Sequence, residues 1–253
     1  MVIAVLNSKG GVGKTTTAVC LAAALAAPRR RILLVDLDSQ ACASHWCGVS
    51  RNQLRPSAAS VLLEKYPILK AVRHTRLPHL DLLTGSLELA NADVALSTVR
   101  GREVALRRML ERVSDLYELV ILDCPPALSL LGINAIVAAD GLIVPVTPEP
   151  LAIDALDALL TSVDRVRTRM RVRGRLIGIV ISQVDPRRAP SREAVERLHT
   201  EHRDDVFHTE IRWTASLADA PDARCPPVSG DAFRRLGGEL LHRLSSLRRN
   251  RAS

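Results

Sequence analysis

Lys9 and Lys14 stand five positions apart in the segment Asn7-Ser8-Lys9-Gly10-Gly11-Val12-Gly13-Lys14-Thr15-Thr16. Glycines allow successive backbone N–H groups to curl towards one centre. A helix starting at the end of such a loop adds the positive end of its dipole. An ammonium and a hydroxyl directly after the last glycine suit a polyphosphate with its magnesium ion: Lys14 would reach the β- and γ-phosphates, and the Thr15 hydroxyl would ligate Mg²⁺. Lys9, Lys14, Lys65 and Lys70 are the only lysines among 35 basic residues. Two of the four fall in this loop, which suggests a need there for a compact ammonium rather than a planar guanidinium.

Carboxylates of the right kind follow. The run Leu34-Val35-Asp36-Leu37-Asp38-Ser39-Gln40 ends in two aspartates one residue apart, and a continuing strand would point both to the same side. The run Leu119-Val120-Ile121-Leu122-Asp123 is an apolar strand ending in a carboxylate, the pattern that holds Mg²⁺ directly or through water. Carboxylates at the C-terminal ends of parallel strands lie where such sheets bind ligands.

The elements that must position these groups are legible as alternation. Short apolar runs occur at 2–6, 32–35, 80–83, 119–122 (the fourth), 142–146, 176–181 and 206–211. Helical periodicity separates them at 15–27, 103–116, 128–138, 153–170, 191–202 and 233–249. This order predicts one α/β domain over residues 1–253, with a mostly parallel twisted sheet and helices on both faces. Hydrophobic residues make up 47% and aromatics only 2%, so the core must be aliphatic. The formal charge of +8 favours an acidic partner, although an Arg-rich composition produces such a charge without one. Five cysteines lacking CxxC spacing point to neither a disulfide framework nor a zinc site. No apolar run reaches membrane-spanning length, and no leader-like segment precedes Val2, so a cytoplasmic location is expected.

Together, these motifs resemble the deviant Walker A ATPases of the ParA/MinD superfamily, most closely ParA (Soj-like) partition ATPases. The match extends through Asp123-Cys124-Pro125-Pro126, Val144 to Pro150, Val184-Asp185-Pro186-Arg187-Arg188 and Leu217-Ala218-Asp219-Ala220-Pro221, about residues 1 to 245. It implies a P-loop NTPase fold that hydrolyses ATP with Mg²⁺. Residues Lys9, Gly10, Gly11, Val12, Gly13, Lys14, Thr15 and Thr16 would hold nucleotide, and Thr15, Asp36 and Asp123 would hold or adjoin the metal. Lys9 would reach across a homodimer to the partner's phosphates, and Asp38 would help to position the attacking water. Cys124 occupies a position where Cys, Thr or Ser is ordinary, which makes it a packing residue.

The resemblance also implies function: the ATP-bound homodimer grips DNA non-specifically, and a ParB-like or cargo-adaptor activator stimulates hydrolysis. Partition of a plasmid or chromosome, or positioning of a cargo on the nucleoid, would follow. Arg187 matches a DNA-contacting arginine, with Arg188 and Arg192 beside it. The usual Ile-Pro-Arg-Asn is replaced by Ile211-Arg212-Trp213-Thr214, and a further expected arginine is Ser216. These departures fall on the DNA surface and on a wall of the adenine pocket. The loop at residue 9 leaves no room for an N-terminal helix-turn-helix, so operator reading is not expected. Two rivals stand beside this reading. A MinD-like membrane cycler would use the stripe Leu240, Leu241, Leu244 and Leu247, although docking onto the sheet is the commoner use of such a stripe. An ATP-dependent enzyme of amidation or carboxylation would use a related fold. The run of arginines from Arg165 to Arg175 at alternate positions spreads around a helix, and Arg29-Arg30-Arg31 sits in a turn; both suit solvated surface.

Overall fold

The computed structural model describes residues 1–126, 128–172, 174–214 and 231–252, with side chains to residue 246 at the C-terminal end. Its centre is a seven-stranded sheet of order β3-β4-β2-β5-β1-β6-β7. The strands are β1 Val2–Val5, β2 Ile32–Asp36, β3 Arg73–His74, β4 Leu80–Leu83, β5 Leu119–Asp123, β6 Gly141–Val146 and β7 Arg175–Ile181. All pairings are parallel except β3 with β4. β2, β5 and β6 are buried at every position, as strands covered on both faces must be.

Successive strand residues feed two separate cores. Leu33, Val35, Val120 and Leu122 pack on one face with α3 (Ala58–Glu64), α6 (Ala105–Glu111), α7 (Leu130–Ala138), α8 (Pro150–Met170) and α9 (Ala189–Glu201). Ile32, Leu34, Leu119 and Ile121 pack on the other with α1 (Lys14–Leu25), α2 (Cys42–Trp46) and α10 (Asp231–Ala252). The short helices α4 (Ile68–Ala71) and α5 (Ala92–Leu96) complete the first face. Leu236, Leu240 and Leu244 of α10 are buried, so the apolar stripe of this helix covers the sheet. Leu247 carries no side-chain description, and Leu217–Pro221 and Ser216 lie outside the described residues.

Several expectations are corrected. The segment 206–211 makes only isolated bridges, Ile179 with Val206 and Val184 with Arg212, because its residues leave the ladder between those two points. The long helix expected over 103–116 is a 3₁₀ turn at Arg102–Val104 followed by α6, which ends at Glu111. The strand ending in Asp123 is the fifth, because the two-residue β3 is too short to leave a periodic signal. Strand β2 stops at Asp36, where the Asp38 N–H turns back onto an Asp36 oxygen at 3.1 Å; Asp36 and Asp38 therefore do not continue one strand face.

A buried carboxylate fastens the β3–β4 edge. Asp81 accepts from His74 Nδ1 at 2.6 Å, from the Tyr117 hydroxyl at 2.8 Å and from Arg31 at 2.8 Å, and the Arg31 guanidinium also lies over the Tyr117 ring. Burial pushes its pKa up, but the three donors outweigh burial and hold it below the ordinary 3.8. A depressed carboxyl contributes stability above its unfolded pKa and loses it as pH falls through the folded value. Asp81→Asn should therefore cost about 2–3 kcal/mol near neutral pH. In denaturant titrations the gap between variant and native chain should shrink below about pH 4; a gap independent of pH would contradict this.

Candidate nucleotide site at the carboxyl ends of the strands

The loop 6–13 joins the end of β1 to α1 and sits over β5, β1 and β6, the middle of the sheet. Gly11 and Gly13 adopt φ of 73° and 82°, a left-handed region that side chains resist. An added Cβ at Gly10 or Gly11 would meet no atom within 4 Å, so the loop presents bare backbone to open space. Gly13 caps α1, and the first turn of that helix carries no acidic residue to neutralise its dipole. Val12 is buried and its carbonyl accepts from the Ser182 hydroxyl at the end of β7, which anchors the loop from the far side.

The two lysines are disposed differently. Lys14 is 7% exposed, and its ammonium donates to the Lys9 carbonyl at 2.9 Å, inside the loop. Burial lowers its pKa, with Asp123 and then Asp38 pulling the other way. Lys9 turns outward, and its ammonium pairs with Glu149 of the same chain at 2.8 Å. Nothing in the spacing of the two residues announces Glu149, which lies 140 positions away.

Asp36 and Asp123 are register partners at the ends of adjacent strands, and both are fully buried. Burial raises both pKa values; for Asp123 the neighbouring Asp36 is the next cause, with Thr15 and Lys14 opposing. Their hydrogen bonding separates them. Asp36 accepts from the Ser44 N–H, the Ser44 hydroxyl and the Asp38 N–H. Gly85 is pressed so close that a Cβ there would lie 2.6 Å from the Asp38 carbonyl. Among the described residues neither Asp123 oxygen has a hydrogen bond of good geometry, and the nearby Thr15 hydroxyl only partly offsets its burial. A buried carboxylate without a donor is costly unless something else satisfies it. With the Thr15 hydroxyl and bare loop amides beside it, the donor set fits a divalent cation bound to a polyphosphate.

This difference makes a prediction. Asp123→Asn should leave the stability of the ligand-free chain within about 1 kcal/mol, whereas Asp36→Asn should cost about 2 kcal/mol because one of its two accepting oxygens becomes an amide NH2 set against an N–H or O–H donor. Equal losses in urea unfolding would refute the division.

A cavity of about 180 Å³ opens beside the first turn of α1, lined by Gly13, Thr16, Ser182, Gln183 and Trp213 among others. Trp213 is 55% exposed, and the Gln183 amide donates to the Gly11 carbonyl. The arginines expected to meet DNA lie on the loop after β7 and the start of α9. Arg187 is exposed but forms a two-pronged ion pair with Asp185 at 2.9 and 3.0 Å; Arg188 caps α9, and Arg192 donates to the Pro186 carbonyl. Cys124 is buried against the strand end. Sequence reasoning missed Ser44, Gly85, Glu149 and Gln183, since each reaches the site through the tertiary fold.

A strand, a glycine loop opening a helix, and a buried carboxylate on the adjacent parallel strand define a P-loop nucleoside triphosphatase. A family described as an AAA domain matches residues 1–175. The sporulation initiation inhibitor protein Soj of Bacillus subtilis is 34% identical, over 91% of both chains. The chromosome partitioning protein ParA of Caulobacter vibrioides is also 34% identical, over 96% of this chain and 94% of that one. A crystal structure named cobyrinic acid a,c-diamide synthase, from Mycobacterium smegmatis with a bound ATP analogue and magnesium, superposes with a TM-score of 0.84 at 33% identity, covering 97% and 96% of the two chains. The chain belongs to the ParA/MinD family of ATPases. Among the described residues no helix is long and apolar enough to cross a membrane.

Proposed function

We propose that this chain is an ATP-driven dimerising switch that binds DNA without sequence preference and moves or positions a plasmid, chromosome or cargo. The observation that carries the proposal is the contrast between the two loop lysines. Lys14 is buried inward over its own loop, while Lys9 points out of it and is held by an exposed ion pair. An outward ammonium at the mouth of a phosphate loop is placed to meet the phosphates of a second copy, where facing triphosphates need added cations.

In this reading Lys14 and the amides of residues 10–16 hold the β- and γ-phosphates of ATP. The Thr15 hydroxyl and the Asp123 carboxylate hold magnesium, with Asp36 behind them bracing the Asp38 turn. Magnesium supplies charge neutralisation on the phosphate oxygens. Asp38, half-buried beside the cluster, orients the attacking water. The nucleoside lies in the cavity under Trp213, and Arg187, Arg188 and Arg192 contact DNA phosphates. Binding DNA requires Arg187 to leave Asp185, so the gain on each phosphate contact is partly offset.

The test is ATP turnover together with gel retention of random duplex across a salt series. The expected result is ATP-dependent retention that weakens steeply with salt, and a uniform loss across sequences in Arg187→Glu. Retention unchanged by this substitution would remove the proposed DNA face. The structure named cobyrinic acid a,c-diamide synthase motivates a second reading, ATP-dependent amidation. Turnover that is indifferent to DNA and dependent on an acceptor acid would favour it. Burial of Leu236, Leu240 and Leu244 argues against a lipid-facing C-terminal helix; ATP-dependent sedimentation with liposomes that is lost on removing residues 239–253 would revive it.

A further inference from the structure

Away from the nucleotide site, the C-terminal end of α3 and the outer face of α6 enclose a groove of about 170 Å³. Leu62 and Met109 line its apolar floor, and Lys65, Tyr66, Arg108 and Arg112 line its rim. Three unfavourable features meet there. Arg108 of α6 and Arg112, the residue that caps its C-terminal end in a helical conformation, stand four residues apart, a spacing at which like charges repel. Lys65 adopts φ of 59°, a left-handed conformation that costs a non-glycine residue. None of these three cations has a hydrogen bond or ion pair among the described residues, whereas nearby arginines do: Arg55 takes Glu64 and Glu88, Arg107 takes Glu111, and Arg102 takes Glu103.

We propose that this groove docks an acidic peptide segment of a partner protein, with one apolar side chain in the groove and carboxylates on its rim. The cavity is comparable to one of about 150 Å³ that accepts a benzene-sized group, which sets the anchor at a single aliphatic or aromatic side chain. Charge complementarity selects the occupant. A second copy of this chain, with 35 Lys and Arg against 27 Asp and Glu, is a poor source of the acidic segment that this basic rim selects. A nucleic-acid backbone would meet the cations but leave the apolar floor unfilled, whereas a peptide satisfies both. The rim cations would steer and orient the segment, and the anchor would fix its register.

The probe is a pool of short labelled peptides with leucine at the centre, glutamate on both sides and random residues elsewhere, beside a pool with lysine for glutamate. Retention of the glutamate pool on the full chain should exceed that of the lysine pool by at least about tenfold, and should fall about tenfold or more in Arg108→Glu/Arg112→Glu. Basal ATP turnover and melting temperature should not change in that variant. Lys65→Gly should bind the pool less well while melting no lower than the native chain, a split that a merely structural lysine would not produce. Equal retention of both pools, or retention untouched by these substitutions, overturns the proposal. So does a double variant that loses random duplex DNA but keeps the peptides, because that assigns the cations to DNA.

Discussion

Lys14→Ala is expected to lower the rate of ATP hydrolysis by at least about 10²–10³-fold, the scale on which removal of one preorganised charge-stabilising donor acts. The argument rests on where the ammonium sits. It is 7% exposed and already aimed into the loop by the Lys9 carbonyl, so little reorganisation remains when charge develops on the phosphates. Its buried surroundings strengthen every interaction it makes. Lys9→Ala should be comparably inactive for a different reason, since that ammonium lies outside its own loop. Mixing separates the two roles. A dimer of one Lys9→Ala chain and one Lys14→Ala chain has one complete site, made from Lys14 of the first chain and Lys9 of the second. Mixed chains should therefore recover part of the turnover that neither has alone. Full activity of Lys14→Ala in steady-state assays would remove the site assignment. A mixture as inactive as its components would remove the action of Lys9 across the dimer.

Arg243→Ala should be the most destabilising surface-helix substitution, at about 3–4 kcal/mol and roughly 6–15 °C in melting temperature. Its guanidinium donates to the carbonyls of Ile177 at 2.7 Å, Asp205 at 3.0 Å and Val206 at 2.7 Å, and lies 4.3 Å from the centre of the Phe207 ring. These carbonyls belong to β7 and to the segment that hydrogen-bonds along its outer edge, so one planar donor joins α10 to both. The approach depends on Gly178, where a Cβ would stand 2.7 Å from the guanidinium and 2.5 Å from Phe207. Arg243→Lys should recover only part of the loss, because a single ammonium cannot span three carbonyls in the plane that the fork does. Calorimetry of the three chains decides the matter. A melting temperature for Arg243→Ala within a degree or two of the native value would show that the α10 stripe alone holds the helix.

Much of the site could be read from the chain. Glycines at fixed offsets before Lys14-Thr15 have few physical uses other than exposing amides to an anion, and an apolar run ending in Asp123 places its carboxylate at a strand end. Alternating runs of four to six apolar residues and longer periodic segments suffice to predict a parallel sheet. The register of β2 on β5, which sets Asp36 against Asp123, was not legible, since strand pairing depends on burial across the whole sheet. Neither was the two-residue β3, whose His74 meets Asp81 together with Tyr117 and Arg31 from 36 and 50 positions away.

Local chemistry was thus determined by sequence alone: the glycine loop with its lysines, the carboxylate at the strand end and the layered class of fold are consequences of residue type and short-range spacing. Tertiary structure decided which groups are already engaged. It closes Asp36 on Ser44, leaves Asp123 open, holds Lys9 on Glu149 and ties Arg187 to Asp185. The physical reason is that burial and hydrogen-bond partnership are properties of the packed chain: the pairs span from 2 to 140 positions, and which of the available groups meet is decided by packing rather than by spacing.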